Sequence, residues 1–154
     1  MTAMDNYEAR RAKHRAAVAE ATISNRKTVF EALAALHITT VTVEFDGEND
    51  SGDVHTVCVY AGNEHVELPK TPITMKNVRT IYAADGGTTT VTDSQEPMTT
   101  AIEMLCLDHL QHEHSGWEID GGAYGAFHFD VAARTIQLAF SYRHIETIHT
   151  DYDV

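Results

Sequence analysis

The chain has 154 residues, enough for one domain that buries roughly 70% of the surface its unfolded form would expose. Eleven Lys and Arg stand against 23 Asp and Glu, a formal charge of −12, while 43% of the residues are apolar. That balance excludes a disordered acidic tail, and the lack of a positive footprint argues against direct binding to nucleic acid.

The charge is unevenly placed. Residues 1–37 hold six basic residues against four acidic ones, a net of +2, so the remainder carries −14. Ten histidines, whose isolated side chains titrate near pH 6.5, would bring the total close to −2 on mild acidification. Cys58 and Cys106 lie in apolar patterns and fit buried thiols of a reducing compartment, with a disulfide between them left open. No secretory signal and no run of about eighteen apolar residues is present, so a cytoplasmic protein without membrane contact is expected.

From Asp5 to His37 there is no Gly or Pro, and Ala, Arg, Lys and Glu predominate, which predicts helix. Its apolar stripe is thin up to about Ala19 and clear from Thr28 to Leu36. Either one long helix is present or two meet near Ser24 and Asn25, with Thr28 and Glu31 spaced as a capping box. Val41, Val43 and Phe45 then alternate with polar residues, a polar stretch runs from Asp46 to Asp53, and Val54–Tyr60 is again β-rich, so a hairpin is expected. Val66 and Leu68 suggest a short third strand. Residues 71–95 are the least legible: Val78–Tyr82 is apolar, Asp85-Gly86-Gly87 reads as a turn, and Thr88–Thr92 has strand propensity without an evident partner.

Glu96-Pro97 opens a second predicted helix, with Ile102, Cys106 and Leu110 as its core stripe beside Ala101 and Leu105. Phe127, Phe129 and Val131, then Ile136, Leu138, Phe140 and Tyr142, alternate as two strands joined at Ala132-Ala133-Arg134. Residues 145–152 alternate less cleanly and suggest an edge strand. The expected fold is α+β: two main helices on antiparallel sheet, one domain over 1–154, with a basic helical extension at 5–22 and an acidic body at 23–154.

A short echo links the halves. Val43-Glu44-Phe45-Asp46-Gly47 and Trp117-Glu118-Ile119-Asp120-Gly121 each follow a predicted helix, which points to an α-β-β-β pseudo-repeat or to the ordinary habit of α+β folds. Under a repeat, Glu44, Asp46, Glu118 and Asp120 would take related positions. They would then hold a hard cation, face a basic partner, or sit solvated on half-buried strands.

Site chemistry is sparse. Asp46, Glu48 and Asp50 alternate, in a segment that ends at Asp53, like a calcium loop, but Ser51 stands where that loop needs Gly and Val57 where it needs Glu. His109, His112 and Glu113 share a helical face as metal candidates, without a His-Glu-x-x-His or Cys-x-x-Cys pattern to support them. Neither a nucleophile elbow nor a phosphate loop is present. Trp117 and Tyr124 read as core residues or as partner-facing anchors.

Val43-x-Phe45-x-Gly47-x-x-Asp50-Ser51-Gly52 resembles a family of small bacterial proteins of unknown function, often found on plasmids, phages or other mobile elements. So does the stretch from Trp117-Glu118 through Gly122-Ala123-Tyr124-Gly125, Phe127, Phe129-Asp130-Val131 and Arg134-Thr135-Ile136 to Leu138. The resemblance runs from the second half of the first helix to the C-terminus and implies context alone, that of a bacterial accessory protein. It supplies no activity or cofactor.

The function expected is therefore non-enzymatic docking on a protein with a basic surface, such as a nucleic-acid-binding host defence protein. Glu44, Asp46, Glu48, Asp50, Asp53, Glu118 and Asp120, with Trp117 and Tyr124, are the candidate contact residues, and no cofactor is expected. The alternatives are a metal-dependent hydrolase, and a small-ligand module or subunit of a larger assembly.

Overall fold

A computed structural model describes residues 2–83, 86–144 and 146–154. The first helix, α1, is continuous over Ala3–Ala35. Its capping box is formed by Thr2 and Asp5 at the very start, while Thr28 instead turns its hydroxyl back onto the Ser24 carbonyl at 3.0 Å. Asn25 does not break the helix. It is buried, and its side-chain amide donates to the Lys76 carbonyl at 3.0 Å while its carbonyl accepts from the Lys76 N–H at 2.6 Å.

Strands β1 (Thr40–Glu48) and β2 (Ser51–Ala61) form the expected hairpin, closed by Asn49 and Asp50 at positive φ, as a two-residue turn of this handedness requires. The short β3 (Glu64–Val66) adds to β2. Residues 72–97 form a long ribbon of β4 (Pro72–Ala83) and β5 (Gly86–Pro97). The turn expected at Asp85 falls partly outside the described residues. Helix α2 (Met98–Glu113) follows, then β6 (Ala123–Asp130) and β7 (Thr135–Tyr142).

The main sheet is antiparallel in the order β3-β2-β1-β6-β7. Val41, Val43 and Phe45 of β1 and Phe127 and Phe129 of β6 point to one face, where Val29, Phe30 and Leu33 of α1 and Ile102, Cys106 and Leu110 of α2 cover them. Each such side chain contributes about 1.5–3 kcal/mol by leaving water. The opposite face carries Thr40, Glu44, His128 and Asp130 and is solvated, so the strands alternate in burial as their sequences do. The β4–β5 ribbon lies against α1 and, less extensively, α2.

Two expectations need correction. Residues 117–121 form successive turns rather than a strand, with Gly116 and Asp120 at positive φ, so the echo with residues 43–47 does not mark equivalent strands. The tail expected as an edge strand forms no strand from Glu146 on, with Ile148 and Tyr152 largely exposed; Ile145 lies outside the described residues. Both thiols are free.

Candidate functional site

The acidic end of the molecule is built on a glycine contact. Gly47 and Gly52 face each other across the β1–β2 hairpin, and the Trp117 indole lies over both. A Cβ at Gly47 would stand 2.6 Å from Trp117 Cζ3, and one at Gly52 2.6 Å from Trp117 Cη2. Trp117 is itself buried and meets Phe45 edge-on, with ring centroids 5.7 Å apart, while Phe45 also packs on Phe127 and Phe140. Of its two readings, Trp117 is therefore core.

Hydrogen bonds fasten the same loop to the hairpin tip. The N–H of Asn49 donates to the Asp120 carbonyl and that of Asp50 to the Glu118 carbonyl, both at 2.9 Å. From the end of β7, Arg143 donates to the carbonyls of Gly47 and Gly121 at 3.1 and 3.2 Å and pairs with Asp46 at 2.7 Å. Its guanidinium also stands 4.9 Å from the centroid of the exposed Tyr124 ring. Arg143 offsets the repulsion between Asp46 and Asp53, which are direct cross-strand neighbours.

The candidate carboxylates thus divide. Glu44, Glu48, Asp50, Asp53 and Asp120 are exposed, Asp46 is held by Arg143, and Glu118 is half-buried. Glu118 Oε2 and Trp117 Nε1 are buried without a hydrogen-bond partner among the described residues. Asp53 also acts on Glu103 of α2, which the sequence did not single out: burial first, and then the Asp53 charge, raise the Glu103 pKa above its ordinary value. Asp46, Glu48, Asp50, Asp53, Glu118 and Asp120 share one end of the fold without closing on a point, while Glu44 lies at the middle of β1. Among the described residues, no three of His, Cys, Asp and Glu are placed to hold a metal ion, and His109, His112 and Glu113 form no such group.

The His109 region belongs to a different feature. A groove of about 720 Å³ runs between the middle of α1 and the end of α2, floored by Phe127, Phe129, Ile136 and Leu138. Arg15, Ile23 and Arg26 line one wall, and Asp108, His109, His112 and Glu113 the other. Although His109 keeps considerable exposure, crowding by the wall lowers its pKa, as do the charges of His114 and Arg26, while Glu113 opposes them. Crowding likewise raises the Asp108 pKa against the pull of His112. Cys106 also lines the groove, and burial drives its thiol far above its usual pKa, with Glu103 adding to the shift, so the thiol is not poised as a nucleophile. The groove was not legible because its α1 wall comes from the stretch whose apolar stripe is thinnest. The exposed Ile23 beside Arg26 was the one local signal.

No helix among the described residues is long and apolar enough to cross a membrane. The chain matches no curated protein and no solved structure. Residues 21–154 match the profile of a family of unknown function, so the chain belongs to that family, DUF6878.

Proposed function

We propose that this protein is a non-enzymatic interaction protein that docks its acidic hairpin end on the basic surface of another protein. The observation that carries this reading is the bracing of the turn. A merely solvated acidic loop has no need of two backbone hydrogen bonds to a second loop, an indole wedged on paired glycines and an arginine strut. Such bracing presents Glu48, Asp50 and Asp120 in fixed positions, which lowers the ordering cost of association. Complementary charge then speeds encounter and selects partners. In the bacterial mobile-element setting that the resemblance implies, the target is the nucleic-acid groove of a host defence protein.

The test is capture from bacterial lysate with the purified chain and with its Glu48→Lys/Asp50→Lys/Asp120→Lys variant. Basic, nucleic-acid-binding proteins should be recovered at low salt, with recovery falling by about tenfold or more at high salt or on charge reversal. Equal recovery by both chains, or recovery of no basic protein, would sink the reading. A second reading is supported by the groove, whose aromatic floor and paired arginine wall suit a small amphiphile with an acidic head.

A further inference from the structure

The two edges of the main sheet are treated very differently. At one edge β3 has three residues and begins with the exposed Glu64, a short and charged strand of the kind that resists pairing. At the other, β7 pairs with β6 on one side only. Its eight residues, Thr-Ile-Gln-Leu-Ala-Phe-Ser-Tyr, contain no charge, no Pro and no Gly, in a chain that is 22% charged. No bulge interrupts its register with β6, and none of the devices that protect an open edge is present in it. Ile136, Leu138 and Phe140 stay half-buried, and the first two form the outer part of the groove floor.

We propose that β7 is the interface with a second copy of this chain, the two β7 strands pairing antiparallel across a two-fold axis into one ten-stranded sheet. A strand placed on such an axis meets itself antiparallel, so the pairing is self-complementary and closed. The axis stands perpendicular to the sheet. Both helical layers therefore fall on the same side, and the Ile136, Leu138 and Phe140 rows of the two copies become neighbours under a continuous floor. An eight-residue ladder alone is small beside the roughly 1,200 Å² of a stable association, and contact between the half-buried Ile136, Leu138 and Phe140 rows adds apolar area to it.

Charge complementarity favours a second copy over a foreign strand. Residues 146–154 carry Glu146, Asp151 and Asp153 with no Lys or Arg. In the antiparallel pair this tail leaves β7 beside the partner's turn between β6 and β7. That turn carries Arg134 together with Asp130, whose carboxylate is already engaged by the Ala133 N–H at 3.1 Å, and the Arg134 carbonyl accepts from Arg26 at 3.0 Å. The acidic tail thus runs toward two arginines. The acidic hairpin ends, which lie where β7 finishes, point in opposite directions and do not repel each other.

The experiment is sedimentation of the intact chain over a concentration series reaching roughly 100 µM, beside its Gln137→Lys/Ala139→Lys variant. Both substitutions lie on the solvated face of β7, and circular dichroism checks that the variant stays folded. The expected result is a species of twice the chain mass, with the lysines weakening association by about tenfold or more. Hydrogen exchange on the wild-type chain gives a readout that needs no variant: β7 amides should become protected as concentration rises. A wild-type chain that stays monomeric overturns the proposal. So does a dimer indifferent to the lysines with unprotected β7 amides, or a foreign protein on β7 in place of a second copy.

Discussion

Gly47 has no room for a side chain, because the indole of Trp117 occupies the space where a Cβ would stand. Gly122 is under two constraints at once, with φ at +68° and the Gly47 carbonyl in the way of any Cβ. Gly47→Ala should therefore force Trp117 off its seat and cost about 1–3 kcal/mol, read as a lowered thermal midpoint. It should also weaken capture of a basic partner without changing net charge, since the loop carrying Asp120 moves with Trp117. Capture at wild-type strength by a folded Gly47→Ala chain would show that the bracing of the turn plays no part in docking. At this scale the sequence was half legible. The lone Trp117 read either as core or as a partner-facing anchor, and the residues around Asn49 read as a hairpin turn. That Gly47, Gly52 and Trp117 meet depends on the path of residues 114–122, whose glycine-rich turns follow no periodic pattern that sequence reading can use.

The elements were legible wherever one face is buried and the other wet. Val41-Val43-Phe45, Phe127-Phe129 and Ile102-Cys106-Leu110 each declare their period, and each lies where that period puts it. The ribbon of residues 72–97 was not legible because much of it is threonine and polar on both faces, and its stability comes from pairing with itself and from lying on α1. Asn25 joins the two. The position read as a possible helix break is a clamp, in which one amide satisfies both backbone groups of Lys76. Asn25→Ala leaves those groups unpaired at a part-buried site and should cost about 1–3 kcal/mol. The loss should be concentrated in the ribbon, seen as faster hydrogen exchange in residues 72–97 than in β1 and β6. A uniform loss across the fold would mean that the ribbon and the sheet unfold as one unit.

Over the whole molecule, α1 divides into a start whose side chains are exposed or half-buried and a later part that enters the core. The family match begins at residue 21, and Ala21 is also the first residue of α1 to be buried. Before it the side chains of α1 are exposed or half-buried, with His14 standing 3.2 Å from Thr80 and Arg15 and Val18 on the groove wall. Four basic and three acidic residues lie in 1–20, so removing them changes the charge only from −12 to −13. A chain beginning at residue 21 should therefore fold, because Asn25, Val29, Phe30 and Leu33 keep α1 attached. Its thermal midpoint should fall by no more than about 2–4 °C, equivalent to roughly 1 kcal/mol in a protein of this size. Capture of a basic partner should be undiminished, since every exposed carboxylate of the hairpin end remains. The groove, in contrast, loses part of one wall, so an amphiphile bound there should be held more weakly by the shortened chain. Circular dichroism melts, lysate capture and amphiphile titration on the two chains separate these effects. Loss of capture with the fold intact would move the docking surface from the acidic end to the basic helix.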